Sequence, residues 1–115
     1  MKNKSIKIGV IGAGWWATSH HIPTLKKRKE VILDSVCRIG KEELLNIKDK
    51  FGFHFATENY KELLKRNLDG VIISSPHGMH YIHSKNALDS NMNVLIEKPM
   101  ATKTSEALDL INTAN

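Results

Sequence analysis

Cysteine and long apolar runs are what this sequence has least of. Cys37 is the single cysteine, so an internal disulfide is excluded, and a lone thiol is typical of a reducing compartment. No apolar run approaches the roughly 20 residues that a membrane helix requires. The apolar stretch after residue 7 is too short for a signal peptide, and no Ala-x-Ala-like cleavage site follows it. We therefore expect a cytoplasmic protein with no membrane partner.

Acidic residues are outnumbered by basic ones, which gives a formal net charge of +5. The densest basic run, residues 26–29, falls at the predicted end of a helix, where the helix dipole and solvent favour cations. Aromatic residues do not interleave with the basic ones, as they do in proteins that bind single-stranded nucleic acid. We therefore expect no nucleic-acid partner, although a basic domain suits a polyanionic ligand.

Short apolar runs alternate with amphipathic stretches along the chain. The predicted strands are Ile6–Ile11, Val31–Cys37, Phe53–Ala56, Gly70–Ser75 and Asn93–Ile96. The predicted helices are Trp15–Lys26, Lys41–Phe51, one that ends at Arg66, one within Pro76–Ser90, and Ser105–Asn115. Pro23 is expected to end or bend the last turn of the first helix. Thr57 and Thr104 are the expected caps of the third and fifth helices. This alternation predicts the α/β class, with a doubly wound parallel sheet of the Rossmann type. A full domain has six strands, so we expect its last part to be missing from this chain.

A glycine loop, Gly12–Ala17 with the sequence GAGWWA, joins the first predicted strand to the first predicted helix. Gly12 permits the tight turn, Gly14 lets the backbone approach a pyrophosphate, and Ala17 lets the helix pack closely on the strand. Phosphates at this point meet free N–H groups and the positive end of a helix. The loop therefore predicts a site for NAD or NADP; the alternative is a plain strand–helix turn that contains glycines.

Trp15 and Trp16 are unusual residues for the start of this helix. Large aromatic side chains here would shield the pyrophosphate or pack beneath a further domain, so we include both among the candidate cofactor-binding residues. The plainer interpretation is that one indole lies in the core and the other on the surface.

The second predicted strand ends without the acidic residue that holds the ribose hydroxyls of NAD. Arg38 lies 24 residues after Gly14, about where that acid is expected, and an arginine there can pair with a 2′-phosphate. Lys41 is close enough to help, whereas Asp34 lies inside the strand and points elsewhere. We therefore predict NADP in preference to NAD; alternatively, Arg38 stacks on the adenine or is solvated.

Two further motifs follow the glycine loop in order: Ser/Thr-Pro-x-x-x-His at Ser75–His80 and Glu-Lys-Pro at Glu97–Pro99. With the loop and the stretch His21–Leu25, they resemble the N-terminal domain of the glucose–fructose oxidoreductase / inositol dehydrogenase (Gfo/Idh/MocA) family. The resemblance covers the whole chain. It implies that residues 1–115 are an NAD(P)-binding Rossmann domain, whose C-terminal substrate and oligomerisation domain lies outside this chain.

The resemblance also implies an activity: an NAD(P)-dependent oxidoreductase that transfers hydride to or from a sugar, polyol or related hydroxy compound, as a homo-oligomer. It implies roles for residues of the two motifs as well. In the first motif, Ser75 and Pro76 line the cofactor, and His80 lies near it at the start of a helix. In the second, Glu97 lies near the nicotinamide ribose, and Lys98 is the active-site lysine. A cis Lys98–Pro99 bond is implied too. Two departures are Arg38, where many members have Asp, and Asn91, where many have Gly in a turn that Asn tolerates.

Lys98 follows the fifth predicted strand at its carboxyl end, where ligands bind in open α/β sheets. A partly buried lysine beside the nicotinamide would bind the substrate hydroxyl and share in proton transfer. The plain alternative is a salt bridge between Glu97 and Lys98, stopped by Pro99.

Histidines recur at positions 77, 80 and 83, but they drift around the predicted helix and no cysteine or carboxylate completes a metal-binding set. We therefore expect no metal site. We expect His83 to lie in solvent, and His20, His21 and His54 to be packing or surface residues. The competing function is a non-catalytic dinucleotide-binding or regulatory module, which would not need a lysine at the hydride site.

Overall fold

The computed structural model describes residues 5–115, in which each strand is followed by a helical segment. The strands are β1 Ile6–Ile11, β2 Val31–Cys37, β3 Phe55–Thr57, β4 Gly70–Ile73 and β5 Asn93–Ile96. The helices are α1 Ile22–Lys26, α2 Lys41–Phe51, α3 Tyr60–Leu63, α4 His80–Asp89 and α5 Thr104–Ala114. A π-helical turn, Ala17–His21, leads into α1, and a 3₁₀ turn, His77–Met79, leads into α4.

The five strands form one parallel sheet in the order β3-β2-β1-β4-β5. The chain builds outwards from β1 to β3, then crosses back to pair β4 with the other side of β1. This reversal confirms the predicted doubly wound parallel sheet. In such sheets, ligands bind beyond the carboxyl ends of the strands where the order reverses, which here lies between β1 and β4.

Apolar side chains fill both faces of the sheet. Val10 and Ile11 are neighbours on β1 and therefore point to opposite faces, and both are fully buried. Val10 belongs to the core beneath α1 and α2, and Ile11 belongs to the core beneath α3 and α4. Among the residues that the structure describes, no helix has the length and apolar character needed to span a membrane.

The third predicted strand and the helix after it differ from the structure. Thr57 does not cap the helix, because it is the last residue of β3 and pairs with Cys37 of β2. The cap is Asn59, whose backbone is extended and whose side chain accepts a hydrogen bond from the backbone N–H of Lys61 at 3.0 Å. The N–H groups of Lys65 and Arg66 donate to carbonyl oxygens three residues earlier, as in a 3₁₀ turn, so α3 is shorter than the predicted helix to Arg66.

One predicted helix end agrees with the structure and one predicted helix start does not. The first helical segment ends at Lys26 as predicted, and Pro23 lies in the first turn of α1, directly after the wide π-helical turn. Thr104 is the first residue of α5 and not its cap, a position that Lys103 occupies without a side-chain bond. The turn before β5 is as expected, since Asn91 adopts a φ of 61°.

Asp34 is a buried carboxylate in the middle of β2, and it points away from the glycine loop, as predicted. Arg66 donates two hydrogen bonds to it, from Nε at 2.7 Å and from Nη2 at 3.0 Å. These bonds hold the pKa of Asp34 below its ordinary value, although burial acts in the opposite direction. The pair joins the segment after α3 to the sheet.

Replacing Arg66 with Met should destabilise the fold, because it leaves the Asp34 carboxylate buried without its main donor. Because solvent screens the partly exposed guanidinium, we expect the free energy of unfolding in urea to fall by only about 2 kcal/mol at pH 7. The depressed pKa of Asp34 gives stability that is complete above its unfolded pKa of about 4 and is lost as pH falls through the folded value. The difference in the free energy of unfolding between wild type and variant should therefore become smaller below about pH 4. A difference that does not change with pH would contradict this account.

Candidate functional site

The glycine loop is fixed against the ends of two neighbouring strands. Gly12 has a φ of +88°, and its N–H donates to the carbonyl oxygen of Cys37, at the end of β2, at 2.8 Å. A Cβ added to Gly12 would collide with the backbone of Ser75, just after β4. Glycine at this position is therefore required by the protein itself, both for its conformation and for the close approach of two loops.

Gly14 is in a different situation. A Cβ added there would meet no atom within 4 Å, so internal packing does not require glycine. The space beside it opens onto the cavity described below. An open approach to bare backbone at the start of a helical segment fits a pyrophosphate, which needs close contact with backbone N–H groups.

The two glycines should therefore respond differently to alanine. Gly12→Ala should lower the free energy of unfolding by about 2 kcal/mol or more, because it combines a strained φ with a backbone collision. Gly14→Ala should leave stability within about 0.5 kcal/mol of wild type while weakening the binding of NADPH. Urea unfolding and a fluorescence titration measure the two effects, and equal destabilisation by both substitutions would contradict the distinction.

A cavity of about 650 Å³ lies at the carboxyl ends of β1, β2 and β4. It brings together five of the residues predicted from sequence: Gly12, Gly14, Arg38, Ser75 and Pro76. Its wall also contains residues that no sequence motif indicates, among them Ile39, Glu58, Tyr60, Met79 and His83. The position at the reversal of strand order and the volume suit an extended ligand with a nucleotide at one end.

Arg38 is half-buried and stands between this cavity and a second groove of about 440 Å³. Its Nη1 donates to the carbonyl oxygen of Ala13 at 3.1 Å, and its Nε donates to that of Ile39 at 3.2 Å. The guanidinium is thus held at the glycine loop. Its remaining N–H groups leave it able to pair with an anion.

Trp15 and Trp16 are both exposed, by 72% and 48%. Their rings form a small aromatic cluster with His20, whose ring centroid lies 4.1 Å from that of Trp16. The interpretation that one indole lies in the core is therefore wrong. Trp15 lines the second groove beside Gly14 and Arg38.

His83 is buried and not in solvent, which corrects the expectation from sequence. Its Nδ1 lies 2.8 Å from the hydroxyl oxygen of Ser75, and its ring packs against Tyr60 with centroids 4.4 Å apart. Burial, and secondarily the neighbouring His80, lower the pKa of His83, which favours a neutral imidazole. His83 therefore fixes the side chain of Ser75 at the cavity wall, a role that a three-residue spacing could not reveal.

His80 lies behind Ser75, is 1% exposed and does not form part of the cavity wall. Its Nε2 lies 2.7 Å from the carbonyl oxygen of Ser75, and its Nδ1 lies 2.7 Å from that of Pro99. The ring thus connects the segment after β4 with the segment after β5. The sequence predicts His80 near the cofactor, but in the structure Ser75 lies between the His80 ring and the cavity.

The Glu97–Pro99 motif follows β5 at the same edge of the sheet. The Lys98–Pro99 peptide bond is cis, as the resemblance implied. Lys98 is exposed in this structure and not partly buried as expected. Glu97 Oε1 lies 2.7 Å from His21 Nε2, so Glu97 contacts the helical segment that follows the glycine loop and does not form the alternative salt bridge with Lys98.

His21 contacts a candidate site residue, Glu97, whereas the sequence predicts only a packing or surface role for it. The signal that could have found it is its place in the stretch His21–Leu25, which already formed part of the resemblance. Within residues 5–115, no group of three or more His, Cys, Asp or Glu side chains converges as a metal site would require.

A parallel sheet of this order, with a glycine loop after β1 and a cavity at its carboxyl edge, defines a dinucleotide-binding domain of the Rossmann class. The chain belongs to the Gfo/Idh/MocA oxidoreductase family, whose model, described as an oxidoreductase family with an NAD-binding Rossmann fold, matches residues 6–115.

Relatives and solved structures agree with this membership. The chain is 36% identical over 108 residues to glucose-6-phosphate 3-dehydrogenase of Bacillus subtilis, covering 94% of this chain and 30% of the relative. It is 28% identical over 115 residues to D-glucoside 3-dehydrogenase of Escherichia coli, covering 99% and 33%. The crystal structure of KijD10, a 3-ketoreductase from Actinomadura kijaniata in complex with NADP and TDP-benzene, matches with a TM-score of 0.90 and 27% identity, covering 96% and 34%. The chain thus spans about a third of the length of these proteins.

Proposed function

We propose that this chain is the cofactor-binding part of an NAD(P)-dependent oxidoreductase that transfers hydride between the nicotinamide and a sugar, polyol or related hydroxy compound. The observation that carries the proposal is the convergence of three motifs at one edge of the sheet. Gly12 abuts the backbone of Ser75, and His80 joins Ser75 to Pro99. The names of the relatives, which are sugar dehydrogenases and a ketoreductase, support this class of substrate.

Residues 1–115 would form the N-terminal NAD(P)-binding domain of a longer protein, whose second domain holds the substrate. The greater length of the relatives supports this division. We also propose a cytoplasmic homo-oligomer. The buried, unpaired Cys37 suits a reducing compartment, and the oligomer rests on the resemblance to the family.

Four parts of the chain would hold the cofactor. Backbone N–H groups at the glycine loop would bind the pyrophosphate, and Arg38 would pair with the 2′-phosphate of NADP. Ser75 and Pro76 would line the middle of the dinucleotide, and Glu97 would lie near the nicotinamide ribose. When bound, the nicotinamide supplies the carbon that accepts or donates the hydride.

Lys98 would manage the proton in this reaction. As a carbinol is oxidised, its carbon loses hydrogen as hydride with the bonding electron pair, and its hydroxyl loses a proton. The Nζ of Lys98, in its amine form, would take that proton, and in the reverse direction the ammonium would return it. His80 holds the adjacent Pro99 carbonyl, which fixes the backbone from which Lys98 extends.

The first test is a fluorescence titration of the chain with NADPH and NADH, using Trp15 and Trp16 as reporters. We expect NADPH to bind more tightly than NADH. Arg38→Gln should weaken NADPH binding about tenfold, or about 1.4 kcal/mol, while changing NADH little, because only NADPH carries the 2′-phosphate. Arg28→Gln removes an equal charge at an exposed pair with Glu30 and is the matched control. Equal losses for both cofactors in Arg38→Gln would contradict the role of Arg38.

The second test concerns Lys98 and uses the longer protein with a sugar or polyol substrate. Lys98→Met should lower kcat by about 10²- to 10⁴-fold, because the hydroxyl proton loses its acceptor, while the Kd of NADPH stays within about twofold. Lys103→Met, which removes a lysine at the start of α5, is the control. A variant of Lys98 with normal kcat would favour the non-catalytic module.

A further inference from the structure

The end of β2 lacks an acidic residue, but Glu58 directly follows the neighbouring strand β3. The last residues of β2 and β3, Cys37 and Thr57, are paired in register. Arg38 and Glu58 therefore leave the sheet side by side, at strands that lie about 4.8 Å apart. Both side chains contribute to the wall of the 650 Å³ cavity.

Glu58 is held in place by the loop that follows β2. Its Oε2 accepts a hydrogen bond from the backbone N–H of Gly40 at 2.8 Å. Gly40 has a φ of +104° and precedes α2, so this bond fixes a turn that contributes Arg38 and Ile39 to the cavity. One carboxylate oxygen is thus anchored, and the carboxylate retains lone pairs for further donors.

The two opposite charges do not neutralise each other. Arg38 donates to the carbonyl oxygens of Ala13 and Ile39, and across residues 5–115 no ion pair joins it to Glu58. The negative charge of Glu58 also affects the thiol of Cys37, which lines the same cavity. Burial raises the pKa of the Cys37 thiol to about 11, with the carboxylate of Glu58 as the next cause. The nucleotide end of the cavity therefore contains a fixed cation and a fixed anion.

We propose that Glu58 is a second determinant of cofactor specificity: its carboxylate accepts hydrogen bonds from the adenosine ribose hydroxyls of NAD(H) and repels the 2′-phosphate of NADP(H). This inference rests on the proposed function, since it concerns the same dinucleotide site. Glu58 supplies the group that usually comes from the end of β2, and Arg38 supplies the group that binds the phosphate. The site therefore binds both cofactors, and the balance between two adjacent charges sets the ratio of their affinities.

Glu58→Gln tests this directly, because Gln retains an oxygen to accept the Gly40 N–H but loses the negative charge. The Kd values of NADPH and NADH are measured by fluorescence titration of the chain at fixed salt. We expect NADPH to bind about fivefold more tightly, since a like charge is removed, and NADH to bind about threefold more weakly, since a charged acceptor is lost. The ratio of the two Kd values should shift by more than tenfold.

Glu30→Gln is the matched control, because it removes the same charge at the opposite, amino-terminal edge of β2, where Glu30 pairs with Arg28. Its ratio of Kd values should equal that of wild type. If Glu58→Gln does not fold, as judged by circular dichroism, Glu58→Ser is measured instead, with the same expected direction.

The possible outcomes separate this inference from the proposed function. If wild type binds both cofactors and Glu58→Gln leaves their ratio within twofold, Glu58 is not a specificity determinant and the inference is overturned. Equal weakening of both cofactors would show that Glu58 only holds the loop at Gly40, which also overturns it. If wild type binds neither cofactor, the proposed function itself fails, and the inference fails with it.

Discussion

The close approach of Gly12 to the backbone of Ser75 is the constraint on which the rest of the site depends. It brings the loops after β1 and β4 into contact at the point where the strand order reverses. The N–H of Gly12 also reaches the end of β2, through the carbonyl oxygen of Cys37. The ends of β1, β2 and β4 thus meet at Gly12. The cavity lies beside this meeting point, at the carboxyl ends of the same three strands.

Much of the fold could be predicted from the sequence because local patterns define it. The limits of β1, β2, α2 and β5 agree with the predicted ones, since each is a run of consistent apolar periodicity between turn residues. The wrong details depend on tertiary contacts. Thr57 is an acceptable cap by residue type, but pairing of β3 with Cys37 draws it into the sheet. The first helical segment, by contrast, ends at Lys26 as predicted, with a π-helical turn directly before Pro23.

The sequence predicts part of the candidate site but not the contacts that hold it together. Motifs supplied the residues on the cavity wall, such as Gly14, Arg38 and Ser75, because each follows a strand at its carboxyl end. They did not supply two side-chain contacts that hold these residues in place. His83 reaches Ser75, and His21 reaches Glu97 across 76 positions of the sequence. A contact between such distant residues depends on the sheet order and on helix rotation, neither of which a single sequence states.

The charges at the ends of β2 and β3 show how register can alter a function inferred from one strand. From β2 alone, Arg38 replaces an acid and favours a cofactor with an additional phosphate. The parallel pairing of Cys37 with Thr57 adds Glu58 to the same place, three-dimensionally adjacent although 20 residues later. Because Arg38 is held by backbone carbonyls and Glu58 by a backbone N–H, neither charge needs the other as a partner. Both charges therefore stay available to a ligand, and in the proposed site the preference between phosphate and hydroxyl would be a difference between two opposing terms and not a property of the arginine alone.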